Sequence, residues 1–186
     1  MRIFRALKPN NLTHKFGEIL PVWTNIGMKG HNGFDFSAPL GEKIYWDCDI
    51  RGTVLNTEID SKGGLGVNVI SEDKDGIFKH RFWHLQKFNC IAGQILESGD
   101  LIGYADTTGL AFGSHLHRDL KPMIKDQNEA YKIKNYNNGY FGATDIQPFF
   151  TNIFIKDYVA NLEGQVSVLK QIIEKINELL KLKVGY

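Results

Sequence analysis

The first 120 residues never run far without a glycine or a proline, and that punctuation holds the elements there short. The chain carries 19 glycines and five prolines, and in this region they recur at short intervals. Between them lie β-prone runs at 43–46, 53–55, 67–70, 79–85, 101–105 and 115–120. Short strands with frequent turn signals predict a mainly β, antiparallel domain over residues 1–120. Gly63-Gly64 and Lys74-Asp75-Gly76 mark turns flanking one strand, the second a hairpin turn. At 186 residues the chain accommodates one such domain with a sizeable core, plus an appendage.

Beyond residue 120 the character changes twice. Residues 121–155 hold many Lys, Asn and Tyr residues without clear periodicity, and read as an irregular extension packed on the domain. Residues 156–183 read as a C-terminal α-helix. Val159, Leu162, Val166, Leu169, Ile173, Ile176 and Leu180 are spaced 3, 4, 3, 4, 3, 4, a heptad seam with mostly β-branched residues at the a positions. Ile172 and Leu179 widen the stripe from g. The helix is either a coiled-coil-like element that forms a homo-oligomer or an amphipathic helix packed on its own domain. The unbroken 3.5-residue period favours the first.

Chemistry concentrates in three motifs, which hold four of the six histidines: His31-Asn32-Gly33-Phe34-Asp35, Trp83-His84-Leu85 and Ser114-His115-Leu116-His117. Imidazole and carboxylate are ligands that zinc accepts, and catalytic zinc takes three protein ligands. His115 and His117, two apart, leave the same face of an extended strand, with Leu116 pointing into the core. Asp35 between Phe34 and Phe36 alternates in the same way. Gly33 allows a tight turn between His31 and Asp35. So an early His and Asp are expected to meet a later His.

These motifs resemble, in content and order, those of the lysostaphin-type (LytM-like) zinc metalloendopeptidases, including phage and prophage peptidoglycan hydrolases. The resemblance runs from about Phe16 to His117 and includes Gly30 to Phe36, Trp83-His84-Leu85, Gly99-Asp100-Leu101-Ile102-Gly103 and Thr108 to His117. It implies an antiparallel β-sheet peptidase fold, one Zn2+ per chain on His31, Asp35 and His117, and two further active-site histidines at His84 and His115. Those two divide the roles of general base and of orienting water or the oxyanion; a rival reading makes one of them a fourth ligand. The implied substrate is the stem peptide or cross-bridge of bacterial peptidoglycan, cut by metal-activated water; the alternative is a non-catalytic binder or activator of the same fold. Where relatives often continue from the second His into an aromatic and a glutamate, this chain reads Arg118-Asp119.

Composition excludes other partners. Net charge is +1 from 22 basic and 21 acidic residues, with no basic stripe that would call for nucleic acid. No run of 18 apolar residues predicts a transmembrane segment. The opening residues show no signal-peptide hydrophobic region, so synthesis in the cytoplasm is expected, while the resemblance implies action at the cell wall, as by phage-encoded or virion-associated enzymes. Cys48 and Cys90 have no zinc-type spacing and read as buried free thiols. His80 shares strand parity with His84, yet is read as a packing or surface residue. Phe82 and Trp83 are read as strand packing, and His14 as a surface residue.

Overall fold

A computed structural model describes residues 1–184, with side chains through Leu180. The chain divides into two compact units, Met1–Ile155 and the segment from Lys156 onward.

In the first unit the elements run β1 (Ile3–Arg5), β2 (Leu12–His14), α1 (Pro21–Thr24), β3 (Phe34–Ser37), β4 (Lys43–Tyr45), β5 (Gly52–Asp60), β6 (Gly64–Asp73) and β7 (Gly76–Phe88). They continue through β8 (Ile95–Leu96), β9 (Leu101–Ala105), β10 (His115–Lys125), β11 (Tyr131–Ile133) and β12 (Phe150–Phe154). Ten strands form one antiparallel sheet along the path β2-β3-β10-β7-β6-β5-β8. On that path β11 joins β10, and β4 joins through β9, which pairs with β7. The mainly β, antiparallel expectation is met. A separate parallel pair, β1 with β12, brings the two ends of the unit together.

The stretch 121–155 is more regular than its composition suggests. β10 runs on to Lys125, β11 pairs with its end, and β12 pairs with β1. The strands are only three to five residues long in β11 and β12, too short to impose a visible alternation.

Alternation along β10 sets up the rest. Leu116 and Leu120 are fully buried and join Phe34, Phe36, Trp46 and Phe82 in the core. Residues 115, 117, 119 and 121 therefore share the opposite face. β10 lies between β3 and β7, with His117 opposite Asp35 on one side and Trp83 on the other. Directly opposed residues of antiparallel strands put their side chains on one face, so the register itself brings the carboxylate to the imidazole.

The helix α2 (Ile155–Val184) starts at the last residue of the first unit, and from Lys156 on it makes up the second. Its seam residues Val166, Leu169, Ile173, Ile176 and Leu180 are about half exposed, as are Ile172 and Leu179 beside them. No helix among the described residues is long and apolar enough to cross a membrane.

Candidate metal centre

Three side chains converge on the outer face of the sheet. Asp35 arrives on β3 and His117 on β10. His31 comes from the loop before β3, which is pinned by backbone hydrogen bonds from His31 N to Glu18 O and from Gly17 N to His31 O, both 2.8 Å. His31 Nε2 lies 3.0 Å from His117 Nδ1 and 3.2 Å from Asp35 Oδ1. His117 Nδ1 lies 2.8 Å from Asp35 Oδ1. One proton in such a triangle can satisfy only one contact, so at least two lone pairs point at each other unless a cation sits among them. Tetrahedral zinc with bonds of 2.0–2.1 Å would set its ligand atoms about 3.3 Å apart. The triangle is within a few tenths of an ångström of that size, and its two nitrogens and one oxygen suit the metal.

Gly33 has a purpose other than the expected tight turn. Its φ is not in the positive region. Instead a Cβ there would come 2.9 Å from His117 Cε1 and 3.0 Å from the Cβ of Asp119. Only glycine lets this loop lie against β10.

Several of the imidazoles are fixed in tautomer by carbonyls, which only accept. His31 Nδ1 donates to Lys15 O at 3.2 Å, leaving Nε2 for the centre. His84 Nδ1 donates to Thr108 O at 2.7 Å, and His115 Nδ1 to Gly113 O at 2.8 Å. His84 and His115 thus both keep a lone pair on Nε2. Their rings are 4.4 Å apart, and His84 is 6.1 Å from the ring of His117. Burial, together with the charge on His117, lowers the His84 pKa to about 4. For His117 burial works the same way, but the carboxylates of Asp119 and Asp35 outweigh it and raise the pKa to about 9.

His84 reaches this face by breaking the alternation. Leu65 pairs with Leu85 and Val67 with Phe82, so two steps on β6 match three on β7. The extra residue makes a β-bulge, and His84 sits in it at φ 62°. A non-glycine residue at positive φ costs about 1–3 kcal/mol, a cost typical of functional positions. The bulge is also why the parity of 80, 82 and 84 misleads. His80 and Phe82 point into the core, fully buried, while Trp83 and His84 both border the groove.

The centre lies between two cavities, of about 360 Å³ and about 300 Å³, which share Val22, Trp23, His84, Leu110 and His117. Asp35 and His115 line the first. The second is lined by Arg81, Lys121, Glu58 and Asp60. Trp23, on α1, stacks on His31 with ring centroids 4.5 Å apart. His14, read as a surface residue, is only partly exposed; it meets Trp23 edge-on at 5.2 Å and lines the first cavity. No motif marks either residue.

Behind the sheet a second set of metal-type side chains, Asp47, Cys48 and His80, is packed together. Its cation is already present. Arg118 binds Asp47 through Nε at 2.8 Å and Nη2 at 3.0 Å, and Nη2 also donates to His80 Nδ1 at 2.6 Å. His80 in turn donates from Nε2 to Ser71 Oγ at 2.7 Å. Both cysteines are buried free thiols.

A family model for peptidase family M23 matches residues 29–129, more than half of the chain, and spans all five candidate residues. The chain belongs to peptidase family M23. Among M23 relatives it is 33% identical over 90 residues to the peptidoglycan DD-endopeptidase ShyB of Vibrio cholerae, covering 48% of this chain and 20% of that protein. It is 30% identical over 141 residues to the glycyl-glycine endopeptidase ALE-1 of Staphylococcus capitis, covering 62% and 38%. The chain thus spans well under half the length of these relatives. In structure it resembles the catalytic domain of lysostaphin from Staphylococcus simulans, with a TM-score of 0.56 at 21% identity, over 75% of this chain and 90% of that one. A zinc-containing peptidase from Vibrio cholerae matches with a TM-score of 0.51 at 26% identity, over 64% and 36%. The lysostaphin-type resemblance read from the motifs holds in both sequence and fold.

Proposed function

We propose that this chain is a zinc-dependent endopeptidase that hydrolyses peptide bonds in bacterial peptidoglycan, in the stem peptide or the cross-bridge. The observation that carries the reading is the triangle of His31 Nε2, Asp35 Oδ1 and His117 Nδ1, with His84 and His115 beside it. The activities named for ShyB and ALE-1 support the substrate class. His31, Asp35 and His117 would hold one zinc per chain. Zinc bound there would supply Lewis acidity, lowering the pKa of a bound water to near 7 and polarising a carbonyl.

The chain's own residues do the rest. His115, with its Nδ1 proton committed to Gly113, can take a proton at Nε2 and later return it to the leaving amine. Burial holds His84 neutral. With its ring proton given to Thr108, neutral His84 accepts a hydrogen bond at Nε2 but cannot donate one there. That suits it to orienting water rather than to stabilising an oxyanion. Trp23 stacked on His31 shields one side of the centre from solvent. The cavities on either side offer room for chain on both sides of a scissile bond.

The peptidase is the unit Met1–Ile155, and its place of action is the cell wall. Helix α2 is an assembly element that pairs with copies of itself along the Val159–Leu180 seam. Digesting purified peptidoglycans of several bridge types, with zinc-loaded and chelated protein, tests the function. New amino termini in at least one of them, lost on chelation and restored by zinc, are expected. Folded, zinc-loaded protein that releases no new termini from any of them would leave a non-catalytic binder as the better reading.

A further inference from the structure

The ligand triangle leaves one contact of His117 unexplained. On the far side of its ring, Nε2 lies 3.3 Å from Asp119 Oδ2. Asp119 is fully buried, two residues along β10 and on the same face. Its carboxylate is clasped by Arg81, which stands directly opposite on β7. Arg81 Nε is 2.9 Å from each oxygen and Nη2 is 2.7 Å from Oδ2. The guanidinium in turn rests 5.2 Å over the ring of Trp83. The absent Cβ of Gly33 keeps the space beside His117 and Asp119 clear.

A histidine that ligates a metal is neutral and keeps one ring proton. If it sits on Nδ1 it satisfies Asp35, 2.8 Å away, and the nitrogen that completes the triangle is blocked. If it sits on Nε2, Nδ1 is free for a metal, but a buried N–H then needs an acceptor. The Asp119 carboxylate, with Oδ2 3.3 Å away, stands where that acceptor is needed. Arg81 engages both carboxylate oxygens, which neutralises the buried charge and keeps Asp119 from swinging round to serve as a ligand itself. His31 has the same arrangement in a weaker form, its Nδ1–H resting on the Lys15 carbonyl. We propose that Asp119, held by Arg81, is a positioning residue that fixes the tautomer and ring orientation of His117 so that Nδ1 faces the metal. This rests on the zinc reading above. Asp119 is then part of the centre.

The test is zinc affinity by chelator competition, with 15N NMR of the His117 ring. Asp119→Asn should weaken zinc binding by about 10–100-fold, the usual effect of losing an outer partner of a ligand histidine. It should also move the His117 ring 15N signals of the zinc-bound protein, because the Nε2–H loses its carboxylate partner. Asp119→Glu, which restores a carboxylate, should recover most of the affinity. If Asp119→Asn does not fold, Arg81→Lys decides, since it keeps the charge but loses the two-pronged clasp: weaker zinc binding supports the proposal, unchanged binding overturns it. Folded Asp119→Asn with wild-type zinc affinity, differing only in denaturation midpoint, would show a structural role and overturn the inference alone. Wild-type protein that binds no zinc would overturn the metal reading, and this with it.

Discussion

Replacing Arg118 with methionine removes the cation from the network behind the catalytic face. Arg118 is 1% exposed, as is Asp47, with which it makes a two-pronged pair at 2.8 and 3.0 Å. It also donates from Nη1 to Asp119 O at 2.6 Å and from Nη2 to His80 Nδ1, and it lies 4.5 Å over the ring of Phe82. Methionine fills a comparable apolar volume but strands the Asp47 carboxylate. Breaking a buried pair on one side costs about 3–5 kcal/mol. Each stranded acceptor adds about 1–3 kcal/mol, but the network is shared, so these do not sum. In a domain of this size a loss of 3–5 kcal/mol lowers the melting temperature by roughly 6–20 °C. Denaturant unfolding of metal-free wild type, Arg118→Met, Asp47→Leu and the double variant measures it. The double variant should be less damaged than the two singles added together, because removing both partners leaves no orphaned charge. Arg118→Met within about 1 kcal/mol of wild type, the scale of an exposed pair, would refute the reasoning that it leaves Asp47 as an unpaired buried charge.

Three further predictions follow from the site and the helix. His115→Ala and His84→Ala should retain zinc but lower turnover by roughly 10²–10⁴-fold, the usual share of a positioned acid or base; loss of zinc in His115→Ala would make it a ligand instead. His84 and His80 have folded pKa values below the ordinary 6.5, His84 at about 4 and His80 well below its usual range. The unfolded chain therefore binds protons that the folded chain refuses, so stability present above pH 6.5 is lost as pH falls toward 4, with His84 alone contributing about 3 kcal/mol. Denaturant midpoints should fall over that interval and fall less in His84→Gln; equal slopes would refute the assignment. Val166→Asp with Ile173→Asp puts charge into the α2 seam and should dissociate an oligomer seen by sedimentation, whereas a wild-type chain that is monomeric throughout would contradict self-association.

How much of this was legible in the sequence depended on whether local periodicity survived into the fold. The alternation about Asp35 and along 115–117 was readable, because β3 and β10 pair in register and period 2 holds there. The heptad seam was readable in α2 for the same reason at period 3.5. The rule failed at His84, where a bulge invisible in composition shifts parity, so that 80 and 84 face opposite ways. It failed differently at residues 118 and 119. The same parity puts Asp119 beside His117 and Arg118 in the core, but a buried arginine runs against the expectation for that residue type and was read only as a departure from relatives. Trp23 and His14 come to the centre through tertiary packing of a short helix, which leaves no spacing signal. β11 and β12 are too short to carry one.

The central claim is that His31, Asp35 and His117 hold a single catalytic metal, and elemental analysis of purified wild-type protein and Asp35→Ala tests it most directly. Asp35 is the only carboxylate in the triangle and is held strongly ionised by the two histidines despite its burial, so its loss leaves two neutral nitrogens to bind a dication. The expected result is about one zinc per wild-type chain, as for a mononuclear catalytic site, with zinc largely lost from folded Asp35→Ala. Full zinc occupancy in Asp35→Ala, or none in the wild type after incubation with zinc, would contradict the account.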